Sequence, residues 1–341
     1  MIKEAINILV QGIELSEDEM TQCMNELMEG KATDAQIGAF LTALRMKGES
    51  VQEITAAAKV MKQKAAVINA PEGVLDTCGT GGDMSHTFNI STTAALIIAA
   101  CRVPVAKHGN RSVSSLSGSA DILEALGVVI ELSPRKVEEC LFETGFGFLF
   151  APRFHPAMKY AVGPRREMSI RTIFNILGPI TNPAGAKRQL IGVFADRLTT
   201  ELAHVLNNLG VTDALVVHGE DGLDEITITD GTKATRLKKG SIEEMYIAPE
   251  DFNFRRASLS DLYGGDKYEN AKIALSILDG ERGPRRDIVI MNAAAGLLIS
   301  GKYGDLKTAS KAAQEAIDSG LARQKLEQIK KVSAALYTKT T

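Results

Sequence analysis

The chain has 341 residues, enough for two domains, and its 39 Lys and Arg residues against 42 Asp and Glu residues give a formal net charge of −3. This balance and an aromatic content of 5% are not typical of proteins that bind nucleic acid or an acidic membrane surface, and no apolar run approaches the roughly 20 residues of a membrane-spanning helix. Because the N-terminal segment lacks the apolar core of a signal peptide and the four cysteines show no C-x-x-C spacing, we expect a cytoplasmic protein with reduced thiols.

The first 67 residues have the pattern of four short helices. Three of these begin with a capping box, in which a Ser or Thr stands three residues before a Glu or Gln; the pairs are Ser16 with Glu19, Thr33 with Gln36 and Ser50 with Glu53. One helical face is apolar and holds more side chains than so small a bundle would bury alone: Ile6, Leu9, Met20, Met24, Leu27, Ile37, Phe40, Leu41 and Leu44. We therefore expect this face to dock against another domain or chain, and predict a homodimer formed through it.

Beyond Val74 the pattern changes to apolar strands that alternate with helices. Such strands are typical of a mostly parallel sheet covered on both faces, with ligands bound beyond the carboxyl ends of the strands. The predicted strands are residues 103–106, 128–132, 146–150, 190–194 and 214–217.

Two segments interrupt this alternation. Residues 152–182 form a helix-rich insertion, and residues 225–248 have the pattern of antiparallel β-structure with a turn at Asp230-Gly231. We therefore predict an α/β fold in two parts. A small helical N-terminal domain comprises residues 1–68, completed by part of residues 160–185. A larger α/β domain, residues 74–341, contains a central, mostly parallel sheet.

The most informative motif is the glycine turn, D-T-C-G-T-G-G-D at Asp76 to Asp83, which lies between a predicted strand and a helix that begins at about Ser91. Glycines let backbone N–H groups approach anionic oxygens, and the helix adds its positive N-terminal dipole. A strand-to-helix turn also uses Gly and Asp for backbone reasons alone. The motif is neither a Walker loop nor the spaced glycine pattern of dinucleotide folds, so a phosphorylated metabolite is the expected ligand.

A second polar turn follows the next predicted strand. It contains Lys107-His108-Gly109-Asn110-Arg111, followed by Ser114, Ser115, Gly118, Ser119 and Asp121. Because the carboxyl ends of parallel strands share one edge of the sheet, both turns are expected to serve one anion site.

Other side chains are candidates for a metal or an organic ligand. The adjacent carboxylates Asp224 and Glu225 follow a predicted strand and suit Mg²⁺, although a solvated acidic turn has the same sequence. Arg165 could pair with a carboxylate through its planar fork. His86, His108 and His155 are acid-base candidates, but isolated histidines are more often packing residues. Cys78 has no activating base nearby in the sequence and is interpreted as a small packing residue.

The whole chain resembles the anthranilate phosphoribosyltransferases. The resemblance depends on the glycine turn, F-N-I-S-T at residues 88–92, K-H-G-N-R at 107–111, G-S-A-D-x-L-E-A-L-G at 118–127, F-A-P-x-x-H-P-A-M-K at 150–159, G-P-R-R-E at 163–167, R-T-I-F-N-I-L-G-P-x-T-N-P at 171–183 and G-x-D-E at 222–225. It implies transfer of a phosphoribosyl group from 5-phosphoribosyl-1-pyrophosphate to anthranilate, a step of tryptophan biosynthesis that uses Mg²⁺.

The resemblance also implies roles for individual residues. Donor binding is expected of Gly79, Thr80, Gly81, Gly82, Asp83, Thr87, Asn89, Ser91, Thr92, Lys107 and Ser119. Anthranilate is expected against Gly79, His108, Asn110, Ala151, Pro152, His155 and Arg165. Ser91, Asp224 and Glu225 are the implied metal residues. The sequence departs from the family pattern at Phe154, where many members have His, and at Met168-Ser169; the first change is expected to alter the path of the acceptor.

The sequence alone leaves open two other functions that related proteins have. A pyrimidine nucleoside phosphorylase would use a similar fold, but its Lys-His-Ser-Thr-Gly-Gly run is missing from the sequence. A non-catalytic relative that binds single-stranded nucleic acid would need a basic surface, whereas this chain has a net charge of −3 and no Trp.

Overall fold

A computed structural model describes residues 1–83, 85–112 and 116–338. The chain begins with the four predicted helices: α1 (Ile2–Leu9), α2 (Glu17–Met28), α3 (Asp34–Lys47) and α4 (Val51–Gln63). All three capping boxes are formed, with the Ser16, Thr33 and Ser50 side chains each accepting a hydrogen bond from the backbone N–H three residues later. Local sequence therefore determines where α2, α3 and α4 begin.

The described residues of the larger part form one seven-stranded sheet of order β3-β2-β1-β4-β5-β6-β7. Its strands are β1 (Leu75–Gly79), β2 (Val105–Gly109), β3 (Phe146–Phe150), β4 (Arg188–Gly192), β5 (Asp213–Gly219), β6 (Thr232–Lys238) and β7 (Ser241–Ile247). Strands β1 to β5 run parallel, and β6 and β7 are antiparallel to their neighbours. The predicted α/β class and mostly parallel sheet are confirmed.

Helices cover both faces of this sheet. They are α5 (Ile90–Ala100), α6 (Ser119–Ala125), α7 (Pro134–Thr144), α8 (Ala151–Phe154), α9 (Lys159–Met168), α10 (Ile173–Ile180), α11 (Leu198–Asn208), α12 (Lys267–Leu278), α13 (Pro284–Ile299), α14 (Leu306–Asp318) and α15 (Leu321–Thr338), with short 3₁₀ turns at Pro156–Met158, Pro249–Phe252 and Leu259–Leu262. Arg165 and Arg166 lie in the last turn of α9.

Two predictions about β-structure were wrong. Residues 128–132 form no strand; Val128, Ile130 and Leu132 are buried in an extended segment, so their apolar character reflects burial without strand pairing. The hairpin turn of the antiparallel segment lies at Lys239-Gly240, where φ is +50° and +89°, and Asp230-Gly231 precedes β6. Positive φ at both positions is typical of a type I′ hairpin turn, and Gly240 adopts it at low cost.

The apolar face of the N-terminal helices packs within its own chain. Its side chains, from Leu9 to Leu44, join those of α10, α11 and the sheet in one core, and Ile6 packs against that core from its margin. The face chosen for a homodimer is therefore not available to a second copy. The large apolar side chains that are exposed in residues 1–68 are Val10, Ile13, Met46 and Val67. In the described residues, no helix combines the length and the hydropathy that crossing a membrane requires.

Candidate active site

The glycine turn and the acidic pair lie together at the carboxyl edge of the sheet. Gly81 and Gly82 have φ of +68° and +74°, which side-chain-bearing residues rarely adopt. The Gly81 N–H donates a 2.7 Å hydrogen bond to Asp224 Oδ2. A Cβ atom at Gly79 would collide with the same carboxylate. The turn therefore needs glycine both for its backbone angles and for the close approach of Asp224.

Three carboxylates, those of Asp83, Asp224 and Glu225, lie close together at this turn. Asp224 is buried, and burial and then repulsion from Asp83 raise its pKa. Burial and then repulsion from Asp224 raise the pKa of Glu225 as well, although the nearby Lys107 opposes the shift. The backbone N–H of Ser91, at the start of α5, donates to Glu225 Oε1 at 3.2 Å. The excess negative charge favours a bound cation.

The donor set fits Mg²⁺ rather than a metal held by protein ligands alone. In residues 1–83, 85–112 and 116–338, no group of three or more His, Cys, Asp or Glu side chains has the arrangement of a complete metal site. Mg²⁺ takes oxygen ligands and usually keeps waters and substrate phosphates in its shell, so one or two carboxylates suffice. Asp224 and Glu225 supply such oxygens next to the predicted phosphate turn.

Lys107 lies beneath the glycine turn instead of projecting into open space. It is 2% exposed, and its ammonium donates to Thr77 O and, at 3.4 Å, to Ser91 Oγ. Burial lowers its pKa, which Asp76 and Glu225 partly offset. Its positive charge therefore lies under the glycine turn, between the acidic pair and the buried Asp76.

The second polar turn is tied to the N-terminus of α5 through Asn89. The Asn89 amide donates to Ser117 O at 3.0 Å and accepts from Asn270 Nδ2 at 3.0 Å. Within the same turn the Ser119 hydroxyl donates to Asn110 O at 3.3 Å. Asn89 thus holds the second turn against the start of α5 and α12. Ser114 and Ser115 of the predicted site lie outside the described residues.

Two histidines pack against each other beside α10. The rings of His108 and His155 are 5.0 Å apart between centroids, and both side chains are buried. Because the Gly178 carbonyl can only accept, the His108 Nδ1 that lies 3.1 Å from it carries the proton, which leaves Nε2 with a free lone pair. His108 Nε2 and both ring nitrogens of His155 have no hydrogen-bond partner among the described residues. Burial lowers the pKa of His108 to about 3 and that of His155 to about 4, so both rings are neutral.

Arg165 is brought to the same side of α10 as this pair. Its guanidinium stacks on the Phe174 ring at 5.2 Å. Phe174 and Gly178 are four residues apart in one helix and therefore share a face, with Arg165 next to one and His108 next to the other. The described residues provide no carboxylate partner for Arg165, and burial lowers its pKa.

Other residues that were predicted to bind the substrates make contacts within the protein. The Thr80 hydroxyl accepts from Phe194 N at 3.1 Å, and the Thr92 side chain is buried in α5. Thr87 lies 3.3 Å from Ser85 between hydroxyl oxygens. Ala151 and Pro152 begin α8, where the Ala151 carbonyl accepts from His155 N at 2.9 Å.

Two of the remaining residues contribute to packing. Phe154 is fully buried in a core with Leu132 and Leu149, so it contributes to packing, and its expected effect on the path of the acceptor stays a prediction. Burial raises the pKa of Cys78 well above its usual range, in keeping with a packing role.

Supporting residues were missed by reasoning from sequence. Asn292 of α13 accepts from Ile226 N and donates to Ile226 O, which fixes the backbone next to Glu225. Asn182 donates to Asp76 at 2.7 Å, and Asp76 accepts from His108 N at 3.2 Å. A polar residue inside an apolar helix, such as Asn292 in I-V-I-M-N-A-A-A, is a usable signal, because a buried amide needs partners.

Two family models match the chain. The model for the glycosyl transferase family, helical bundle domain, matches residues 3–65, and the model for the glycosyl transferase family, a/b domain, matches residues 71–323. The anthranilate phosphoribosyltransferases of Geotalea daltonii and Moorella thermoacetica are 50% and 55% identical to this chain. These matches cover 98% and 96% of this chain and 100% and 97% of theirs.

Solved structures agree with these matches. The crystal structure of anthranilate phosphoribosyltransferase from Thermus thermophilus has a TM-score of 0.91 at 42% identity, covering 97% of this chain and 99% of that one. The Saccharomyces cerevisiae enzyme in complex with PRPP and Mg has a TM-score of 0.89 at 26% identity, covering 98% of each chain. The yeast enzyme in complex with 4-fluoroanthranilate has a TM-score of 0.88 at 25% identity, again over 98% of each chain.

Proposed function

The chain belongs to the anthranilate phosphoribosyltransferase family, and from this membership we propose that it transfers the 5-phosphoribosyl group of 5-phosphoribosyl-1-pyrophosphate (PRPP) to the amine of anthranilate. The products are N-(5-phosphoribosyl)anthranilate and pyrophosphate, and the step belongs to tryptophan biosynthesis. The structural observation that best supports this proposal is the hydrogen bond between the glycine turn and Asp224, which sets the turn proposed to bind phosphate beside an acidic pair.

The reaction exchanges one bond at the anomeric carbon for another. The bond to the pyrophosphate oxygen breaks with its electron pair leaving on pyrophosphate, and the amine nitrogen supplies the pair for the new C–N bond. The amine then loses a proton. Departure of pyrophosphate develops oxocarbenium character, so positioning and charge stabilisation are the main catalytic requirements. No side-chain nucleophile is needed.

The donor is proposed to lie along the glycine turn and the start of α5. Its proposed ligands are Gly79, Thr80, Gly81, Gly82, Asp83, Thr87, Asn89, Ser91, Thr92, Lys107 and Ser119. Asp224 and Glu225, with Ser91, would hold Mg²⁺, which when bound neutralises phosphate charge. The N–H groups of Thr80 and Gly81 donate within the protein, to Gly192 O and Asp224, so phosphate oxygens would be bound by the other backbone N–H groups of the turn. Buried Lys107 would add positive charge from beneath the turn.

Anthranilate is proposed to bind beside the histidine pair. Its carboxylate would pair with Arg165, and its ring would lie against His108 and His155, with Gly79, Asn110, Ala151 and Pro152 around it. The free lone pair on His108 Nε2 can accept a hydrogen bond from the amine. A neutral imidazole suits this role because a protonated ring would repel the amine hydrogens.

A fluorescence assay tests the function directly. Loss of anthranilate fluorescence on addition of PRPP and Mg²⁺ is the expected result, and wild-type protein without turnover would contradict the proposal. Incubation with uridine or thymidine and phosphate tests the phosphorylase alternative, and a gel shift with single-stranded DNA tests the nucleic-acid-binding one. The family match favours neither alternative. The cytoplasmic location remains a prediction. Homodimer formation also remains one, but the interface cannot be the apolar face of the N-terminal helices, which is buried within the chain.

A further inference from the structure

Arg171 brings a positive charge from the helix-rich insertion to the glycine turn. It stands between α9 and α10, in a connection of four residues, 169–172. Its guanidinium lies over the Phe194 ring at 4.5 Å from the centroid. Arg171 Nε is 3.0 Å from the point that a Cβ atom on Gly82 would occupy. The side chain is thus held between an aromatic ring and the phosphate turn.

The charge of Arg171 is not neutralised by the protein. The side chain is half-buried, yet no carboxylate in the described part of the chain forms an ion pair or hydrogen bond with it. Two other shielded arginines do have such partners, since Arg236 pairs with Asp213 at 2.7 Å and Arg286 with Asp318 at 2.6 Å. Arg165 lacks one, as Arg171 does, and is itself assigned to an anionic ligand. Partial burial of an unpaired guanidinium is unfavourable, so an anionic ligand would stabilise it.

We propose that Arg171 binds the pyrophosphate part of the donor at Gly82. This inference rests on the proposed function and adds a binding residue to it. The planar fork matches two phosphate oxygens at once, and stacking on Phe194 fixes the orientation of the fork before the ligand arrives. The carboxylate of anthranilate is the less suitable ligand, because Arg165 already stands on the α10 face that carries His108.

Calorimetry with pyrophosphate and Mg²⁺ tests this contact in the full-length protein. Arg171→Met keeps an apolar side chain on Phe194, and Arg171→Lys keeps the charge without the fork. Arg197→Met is the control, since Arg197 is exposed and pairs with Glu201 at 2.8 Å. We expect the Kd for pyrophosphate to rise about tenfold to a hundredfold in Arg171→Met, less in Arg171→Lys, and not at all in Arg197→Met.

Kinetics separate a binding contact from a structural one. The KM for PRPP should rise in Arg171→Met while the KM for anthranilate and the melting temperature stay near the wild-type values. Wild-type Kd and KM values in both variants would overturn the inference, as would a rise confined to the KM for anthranilate. If Arg171→Met does not fold, Arg171→Lys decides alone, and a wild-type affinity for pyrophosphate then overturns the contact. Failure of the wild-type protein itself to bind pyrophosphate would instead contradict the proposed function and this inference together.

Discussion

Gly81 and Asp224 are 143 positions apart in the chain and are joined by a 2.7 Å hydrogen bond from the glycine backbone to the carboxylate. One residue belongs to the turn after β1 and the other to the connection after β5. The parallel sheet brings these two connections to one edge, because the carboxyl ends of its strands point the same way. The backbone geometry of the turn therefore links the proposed phosphate site to the proposed metal site.

Removing both carboxylates should abolish turnover. In Asp224→Asn with Glu225→Gln, the side chains keep their size but lose the charge that would hold Mg²⁺. We expect turnover at ordinary Mg²⁺ to fall about a thousandfold or more, and Mg²⁺ to stop strengthening pyrophosphate binding in calorimetry. Glu220→Gln is the matched control, because Glu220 is exposed and contacts Tyr246 on the far side of the same connection. Undiminished activity in the double variant would contradict metal binding at this pair.

Gly79→Ala should damage the site without unfolding the protein. The new Cβ atom would meet the Asp224 carboxylate and displace it from the hydrogen bond with Gly81. Displacement of a catalytic group by about 1 Å costs as much as a hundredfold in rate, so we expect a loss of that order in kcat/KM for PRPP. Gly163→Ala in α9 is the control, since its Cβ would meet no atom within 4 Å. Equal kcat/KM values for the two variants would show that the contact with Asp224 is not needed.

Arg165→Ala should change the KM for anthranilate more than the KM for PRPP. Removal of its guanidinium takes away the proposed partner of the anthranilate carboxylate, so the KM for anthranilate should rise about tenfold or more while the KM for PRPP changes little. Steady-state kinetics with each substrate varied in turn measures both. A similar rise in the two KM values would remove Arg165 from the acceptor site.

Sequence reasoning succeeded where the signal is local or a motif marks it. The capping boxes at Ser16, Thr33 and Ser50 depend on residues three positions apart, and the structure forms all of them. It failed where tertiary contacts decide the outcome. The apolar run at 128–132 is buried without a strand neighbour. Arg171 begins the family motif at residues 171–183. Its position beside Gly82 depends on how the insertion folds back over the sheet, which the motif does not indicate.

The histidine pair should make stability depend on pH. Burial lowers the pKa of His108 to about 3 and of His155 to about 4, from an ordinary 6.5. Between each lowered pKa and 6.5, the unfolded chain binds more protons than the folded protein. The free energy of unfolding therefore rises with pH in this range, by up to about 1.4 kcal/mol per pH unit for each ring. Stability from this source is complete above pH 6.5 and is lost as the pH falls, through about 4 for His155 and about 3 for His108.

His155→Phe tests this dependence. Neither ring nitrogen of His155 has a partner among the described residues, so an apolar ring of similar size should be accommodated in its place. Urea unfolding between pH 7 and pH 4.5 should show a shallower fall in the variant than in wild type, because one proton-linked group is gone. His204→Gln, on the exposed side of α11, should keep the wild-type slope. Identical slopes in all three proteins would mean that His155 is not held neutral by the fold.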